Sequence, residues 1–170
     1  MIGVRGLIFV LLPFAFCALP FAFSQTPAQG RFVLAVQYPP EQKIEMPFFR
    51  TGAVDKLDAN GWVRRPKPRV SAPTKLEVSL KDAPAPSSVK PEYQAYVLWA
   101  VTEKGEFVKL GPLGGKLETQ TELTAFGMVI SLEPDLNATR PKGLFVLETG
   151  LPDAKHRYFG MVRVYYEGKK

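Results

Sequence analysis

Cysteine is nearly absent from this 170-residue chain: Cys17 is the only one, and it lies in an apolar N-terminal run. A disulfide framework is therefore excluded, and so is a thiol nucleophile beyond that run. Histidine is equally scarce. His156 stands alone, so a multi-histidine metal centre cannot be assembled. No second long hydrophobic run follows the first, which predicts a soluble remainder. Helical periodicity is missing too, and 14 prolines after residue 24 disfavour long helices. Nothing in the pattern calls for a cofactor.

The apolar run extends from Gly6 to Phe23 behind a single charge, Arg5, and ends in Ala22-Phe23-Ser24. This is the layout of a secretory signal peptide cleaved after Ser24. The alternative is an uncleaved N-terminal anchor that tethers the domain to a membrane, but Pro13 and Pro20 interrupt the run and suit a discarded signal better. Removal of residues 1–24 leaves 146 residues with 21 basic and 16 acidic side chains, a net charge of +5, and no cysteine. A cysteine-free exported domain fits a bacterial envelope (periplasmic, wall-associated or extracellular) better than a disulfide-stapled secreted protein.

Short runs with period-two alternation follow, punctuated by Gly and Pro. Thr74–Lys81 sets Leu76, Val78 and Leu80 against Lys75, Glu77, Ser79 and Lys81, the pattern of a strand with one dry face. Residues 93–102 are apolar on both faces, with Val97, Trp99 and Val101 opposite Tyr96, Leu98 and Ala100, so this strand should be central. Further strands are expected over 31–38, 107–110, 116–123, 126–133, 144–149 and 159–167. Phe32, Leu34, Val36 and Tyr38 share one face of the first. The prediction is an all-β, antiparallel two-sheet sandwich of about seven or eight strands. Residues 25–73 read as one strand plus a Pro-rich basic extension, with Asn60-Gly61 as a tight turn. Residues 74–170 read as the sandwich, joined by 31–38 into one domain.

Charge is unevenly placed. Residues 25–73 carry eight basic and four acidic side chains, against thirteen and twelve in 74–170. The excess centres on Arg64, Arg65, Lys67 and Arg69, interleaved with Pro66 and Pro68 after Trp62. Such a segment suits docking onto an anionic envelope component or an acidic partner protein. The plainer reading is a solvated linker, or an edge strand protected by charge and proline. Nucleic acid is not expected in an exported protein without a recognition motif. A second candidate surface is the loop 134–143, with Arg140 and Lys142.

Catalytic patterns do not form. Asp55, Asp58 and Asn60-Gly61 suggest a calcium loop, but Lys56 and Lys67 occupy positions that need ligands. His156 lies between Lys155 and Arg157, an unfavourable setting for a general base. Ser87 and Lys90 have Ser-x-x-Lys spacing only within a proline-bound loop. The chain therefore reads as non-enzymatic, with an envelope hydrolase or carbohydrate-active enzyme as the alternative.

From Thr74 onward the text resembles the extracytoplasmic C-terminal domain of anti-sigma-K factors. The similarity rests on Tyr96-Val97-Leu98-Trp99-Ala100-Val101, Lys104-Gly105, Leu110-Gly111, Phe126-Gly127, Leu132-Glu133-Pro134 and Arg140-Pro141-Lys142-Gly143, in that order. It implies an immunoglobulin-like β-sandwich outside the cytoplasmic membrane, serving as an interaction, sensory or envelope-structural module. It does not imply direct sigma-factor binding, which belongs to a cytoplasmic helical domain not matched here. Within the resemblance, Trp99 is a core aromatic and Glu133-Pro134 a strand stop. N-terminal sequencing of the exported product should give Gln25 as the first residue. A product that begins at Met1 would establish the anchored alternative instead.

Overall fold

A computed structural model describes residues 31–152 and 161–166, so the leader and His156 lie outside the described residues. Ten strands and one helical turn follow in order: β1 (Arg31–Gln37), β2 (Lys43–Arg50), β3 (Asp58–Arg64), β4 (Thr74–Lys81), α1 (Pro86–Val89), β5 (Ala95–Val101), β6 (Phe107–Pro112), β7 (Lys116–Thr121), β8 (Ala125–Glu133), β9 (Leu144–Thr149) and β10 (Met161–Tyr166). Every ladder is antiparallel. The all-β antiparallel expectation therefore holds.

The ladders do not separate into two sheets. They join into one path, β6–β5–β8–β9–β2–β3–β4–β7, with β1 and β10 added alongside β8. β7 returns next to β6, where the Thr119 hydroxyl donates to the Leu110 carbonyl at 3.3 Å, so the sheet is nearly barrel-shaped. The interior is a single apolar cluster that includes Ile44, Met46, Leu76, Leu98, Met128 and Ile130.

Residues 39–73 differ most from the sequence expectation. They contain β2 and β3, which lie between β9 and β4, so the basic stretch is woven into the sheet. Asn60-Gly61 is not a turn but the middle of β3, opposite Met46 and Pro47 on one side and Val78 and Ser79 on the other. Gly61 is needed there because a Cβ would come within 2.6 Å of the Glu77 carbonyl oxygen. Pro47 sits where β2 passes from pairing with β3 to pairing with β9, a place where a missing N–H is tolerated. β1 also departs from expectation: Val33 and Ala35 are buried, whereas Phe32 is exposed and Leu34 half-buried.

β5 is central, as its two apolar faces require. Tyr96, Leu98 and Ala100 point into the barrel, while Val97, Trp99 and Val101 form a second cluster outside it with Val33, Ala35, Val129 and Val164. Alternation along β8 places Ser131 and Glu133 on that second face, fully buried. A polar chain satisfies them. The Trp99 indole N–H donates to Ser131 Oγ at 2.8 Å, and the Ser131 hydroxyl donates to Glu133 Oε1 at 2.5 Å. Glu133 Oε2 then accepts the backbone N–H groups of Lys142 and Gly143 at 3.0 and 3.1 Å. Gly143 is obligatory, since a Cβ would overlap the Leu132 carbonyl. Glu133 is thus the anchor of the 134–143 loop as well as the residue before the proline stop.

Replacement Glu133→Ala should cost about 3 kcal/mol, because two buried donors, the Ser131 hydroxyl and the Gly143 N–H, and the partly buried Lys142 N–H lose their acceptor. Glu133→Gln keeps one carbonyl for the paired N–H groups and should cost about half as much. Urea unfolding measures both, and an Ala variant within about 0.5 kcal/mol of wild type would show that the chain adds nothing to stability.

Candidate anion-binding site

The wall β2–β3–β4–β7 has one dry face. Ile44, Met46, Val63, Leu76 and Val78 point inward and are buried, so Lys43, Glu45, Trp62, Arg64, Lys75 and Glu77 must point outward. Register decides what lies beside what. Lys43 is paired with Arg64, and Arg64 with Lys75, which sets three exposed cations side by side across three strands. Among the described residues none of the three makes an ion pair. Like charges directly opposite each other destabilise a sheet. The next row outward-facing along the strands reads Glu45, Trp62, Glu77 and Glu118.

Beyond Arg64 the chain leaves β3 as a strap, residues 65–73, that leads to β4. Arg65 is half-buried and structural: its guanidinium donates to the Tyr38 carbonyl at 3.2 Å, and its own carbonyl accepts the Glu41 N–H at 2.8 Å. Lys67 is exposed and pairs with Glu41 at 3.2 Å. The strap then turns at Lys67-Pro68-Arg69-Val70, closed by the Val70 N–H on the Lys67 carbonyl at 3.2 Å. Arg69 has φ 77°, so proline stands second and a left-handed residue third, as in a type II turn. Glycine or asparagine is the usual occupant of that third position. Arginine here is strained.

The strap folds back over the cationic row. Arg64, Arg65, Lys67 and Lys75, with Pro66, Val70 and Pro73 between them, line a hollow of about 290 Å³ in which Glu41 is the one acid among the described residues. That grouping suits a phosphate, sulfate or carboxylate group, held chiefly by the exposed Arg64 and Lys75, while Arg65 stays on the Tyr38 carbonyl and Lys67 is shared with Glu41. Of the residues singled out from sequence, Arg64, Arg65 and Lys67 meet here, while Arg69 occupies the strap's tip. Lys43 and Lys75 were not legible as part of the site, because only strand register brings them beside Arg64. Trp62 sits on the wall, half-buried, with the Lys43 ammonium 4.7 Å from its ring centroid.

No family model, curated protein or solved structure matches the chain.

Arg140 and Lys142 are exposed but belong elsewhere. The strap lies near the Ala125 end of β8, where the Tyr38 N–H donates to the Thr124 carbonyl. The 134–143 loop lies at the Glu133 end, about 25 Å away along the strand. The structure therefore separates the two basic patches. Asp58 opens β3 at the end opposite Arg64, and its carboxylate accepts the Ala59 N–H at 2.8 Å. Ser87 lies on the single helical turn α1 rather than in a coil. Both Ser87 and Lys90 are exposed there, and the Ser88 hydroxyl donates to the Ala85 carbonyl at 2.6 Å. On β7, Lys116 bridges Glu118 at 2.8 Å and Glu77 at 3.2 Å. Its hydrogen bond to Glu118 holds the Lys116 ammonium above its ordinary range and the Glu118 carboxyl below.

Replacement Arg69→Gly should raise stability by about 0.5–1 kcal/mol, the left-handed penalty less the added freedom of the unfolded chain. The same change should weaken retention on a polyanion column. Thermal melts and salt-gradient elution measure the pair of effects, and a lower melting temperature would mean that the Arg69 backbone stores no strain.

Proposed function

We propose that this protein is an exported, non-enzymatic binding module that engages an anionic envelope component through the strap and the cationic row of its four-stranded wall. The observation that carries the reading is the hollow where four basic side chains converge around one acid. Export follows from the N-terminal run, and an extracytoplasmic β module accords with the resemblance of residues 74–148 to the anti-sigma-K domain. In this reading the near-barrel is a flattened immunoglobulin-like sandwich. β2–β3–β4–β7 form one wall, β6–β5–β8–β9 the other, and the three-residue ladder between β2 and β9 hinges them. The outer face of the first wall is the working surface, and the loop with Arg140 and Lys142 is a separate, secondary one.

The test leaves Arg65 in place, because it ties the strap to Tyr38. A chain beginning at Gln25 should bind inorganic polyphosphate at low ionic strength and release it near 0.5 M salt, where screening shrinks to a few ångströms. Serine at Arg64, Lys67 and Lys75 together should reduce affinity by about tenfold or more. Undiminished binding by this triple variant would remove the proposal.

A further inference from the structure

The chain has two tryptophans with opposite circumstances. Trp99 is fully buried and its N–H is satisfied by Ser131. Trp62 faces outward from the middle of a polar wall, where the core has no use for it: the inward positions of β3 are Ala59, Gly61 and Val63. Its indole separates two depressions. A groove of about 850 Å³ runs along Lys43, Glu45, Asn60 and Glu77, walled by Pro47 and the exposed Leu151. A hollow of about 480 Å³ on the other side is lined by Lys75, Glu118 and Gln120. An aromatic face therefore lies among donors and acceptors of both kinds, one register step (about 6.7 Å) from the cationic row.

That combination selects among anionic partners. A lipid bilayer presents a plane of negative charge, and Trp62's own row would turn towards it Glu45 and the Glu77–Glu118 pair, which the single Lys116 ammonium only half neutralises. A membrane-seeking tryptophan would also project from the surface rather than lie half-buried between two hollows. A sugar chain meets every feature. The apolar face of a pyranose ring stacks on the indole face that the Lys43 ammonium does not cover, its hydroxyls donate to carboxylates and accept from Lys and Asn, and a carboxylate or phosphate substituent reaches the cations next door. Four strands at about 4.8 Å spacing provide a track long enough for several residues of such a chain.

We infer that the anionic ligand is an acidic glycan, lying across the wall with one ring stacked on Trp62 and its acid groups on the Lys43–Arg64–Lys75 row. This rests on the binding function proposed above and names its ligand class.

Because Trp99 is sealed, Trp62 emission reports the site directly. The Gln25–Lys170 chain is titrated with oligogalacturonate, phosphomannan, uncharged dextran and phosphatidylglycerol vesicles, with calorimetry in parallel. At least one of the two acidic glycans should change Trp62 emission, while dextran should not. Trp62→Ala, checked for an unchanged melting temperature, should lose acidic-glycan affinity by tenfold or more yet keep its salt-sensitive binding of inorganic polyphosphate, a polyanion without sugar rings. Trp62→Phe should retain most glycan affinity by calorimetry. Wild-type affinity in Trp62→Ala, or no response to either acidic glycan, overturns the glycan assignment. In either case polyphosphate binding that is lost in the Arg64/Lys67/Lys75 variant leaves the broader anion-binding reading standing. Vesicle binding with a blue-shifted Trp62, stronger than to the glycans, overturns it in favour of a lipid surface. No binding to any polyanion removes both.

Discussion

A strand pair covered on both faces has no place for a polar side chain unless that side chain brings its partners with it, and β5–β8 is such a pair. One face fills the barrel and the other is covered by β1 and β10. The exceptions on β8, Ser131 and Glu133, are joined in a line from the Trp99 indole to two backbone N–H groups. Each member has a partner on either side, which is the condition under which a buried polar network fixes geometry instead of weakening it. Its outcome is positional. The carboxylate grips residues 142 and 143 from beneath, Gly143 permits the contact, and the Lys109 ammonium closes over Trp99 while donating to the Leu136 carbonyl. The connection between β8 and β9 is held at both ends.

The opposite wall follows another rule. Its inner face completes the same core, but its outer face carries no second layer of strands among the described residues. Only the strap lies over part of the cationic row and Leu151 beside the Trp62 groove, so the composition of that face is free to serve something other than folding. Polar alternation would be satisfied there by any mixture of charges. What is present instead is ordered: cations in one row, and carboxylates flanking an aromatic in the next. A rigid sheet fixes such an arrangement in space at little entropic cost, because the strands are already immobilised by the core beneath.

The regular parts of this architecture were legible from sequence because their alternation is strong. β4 shows one dry face, β5 two, and β8 carries apolar residues at every inward position. β3 was not legible. Its inward residues are small, its outward ones include Asp58 and Asn60, and Asn60-Gly61 is among the strongest short-range turn signals. Flanking strands on both sides override that local preference, as tertiary context does where intrinsic β propensity is weak. With β3 unseen, Arg64 read as part of a loose extension, and neither Lys43 nor Lys75 had reason to be placed beside it. Glu133 was visible as a strand stop but not as a buried acceptor, since nothing in the text links it to Trp99 or to residues 142 and 143. Long-range register is the missing information in each case.

Register also bears on the plainest explanation for the basic segment, that charge protects an exposed strand edge from pairing with another chain. That explanation requires an edge, and β3 does not have one: it is paired along its length with both β2 and β4, while β4 continues into β7. Arg64 therefore guards no unpaired backbone, whereas Lys67 and Arg69 lie beyond the strand, in the strap. The row nonetheless carries a cost, repulsion between like-charged neighbours on adjacent strands. The left-handed arginine of the strap is no such marker by itself, since Glu41, Lys56 and Asp82 share that backbone conformation. The half-buried tryptophan one row away adds a second feature that folding does not demand. Their coincidence on a wall that no further strands cover among the described residues is the observation on which the binding proposal rests.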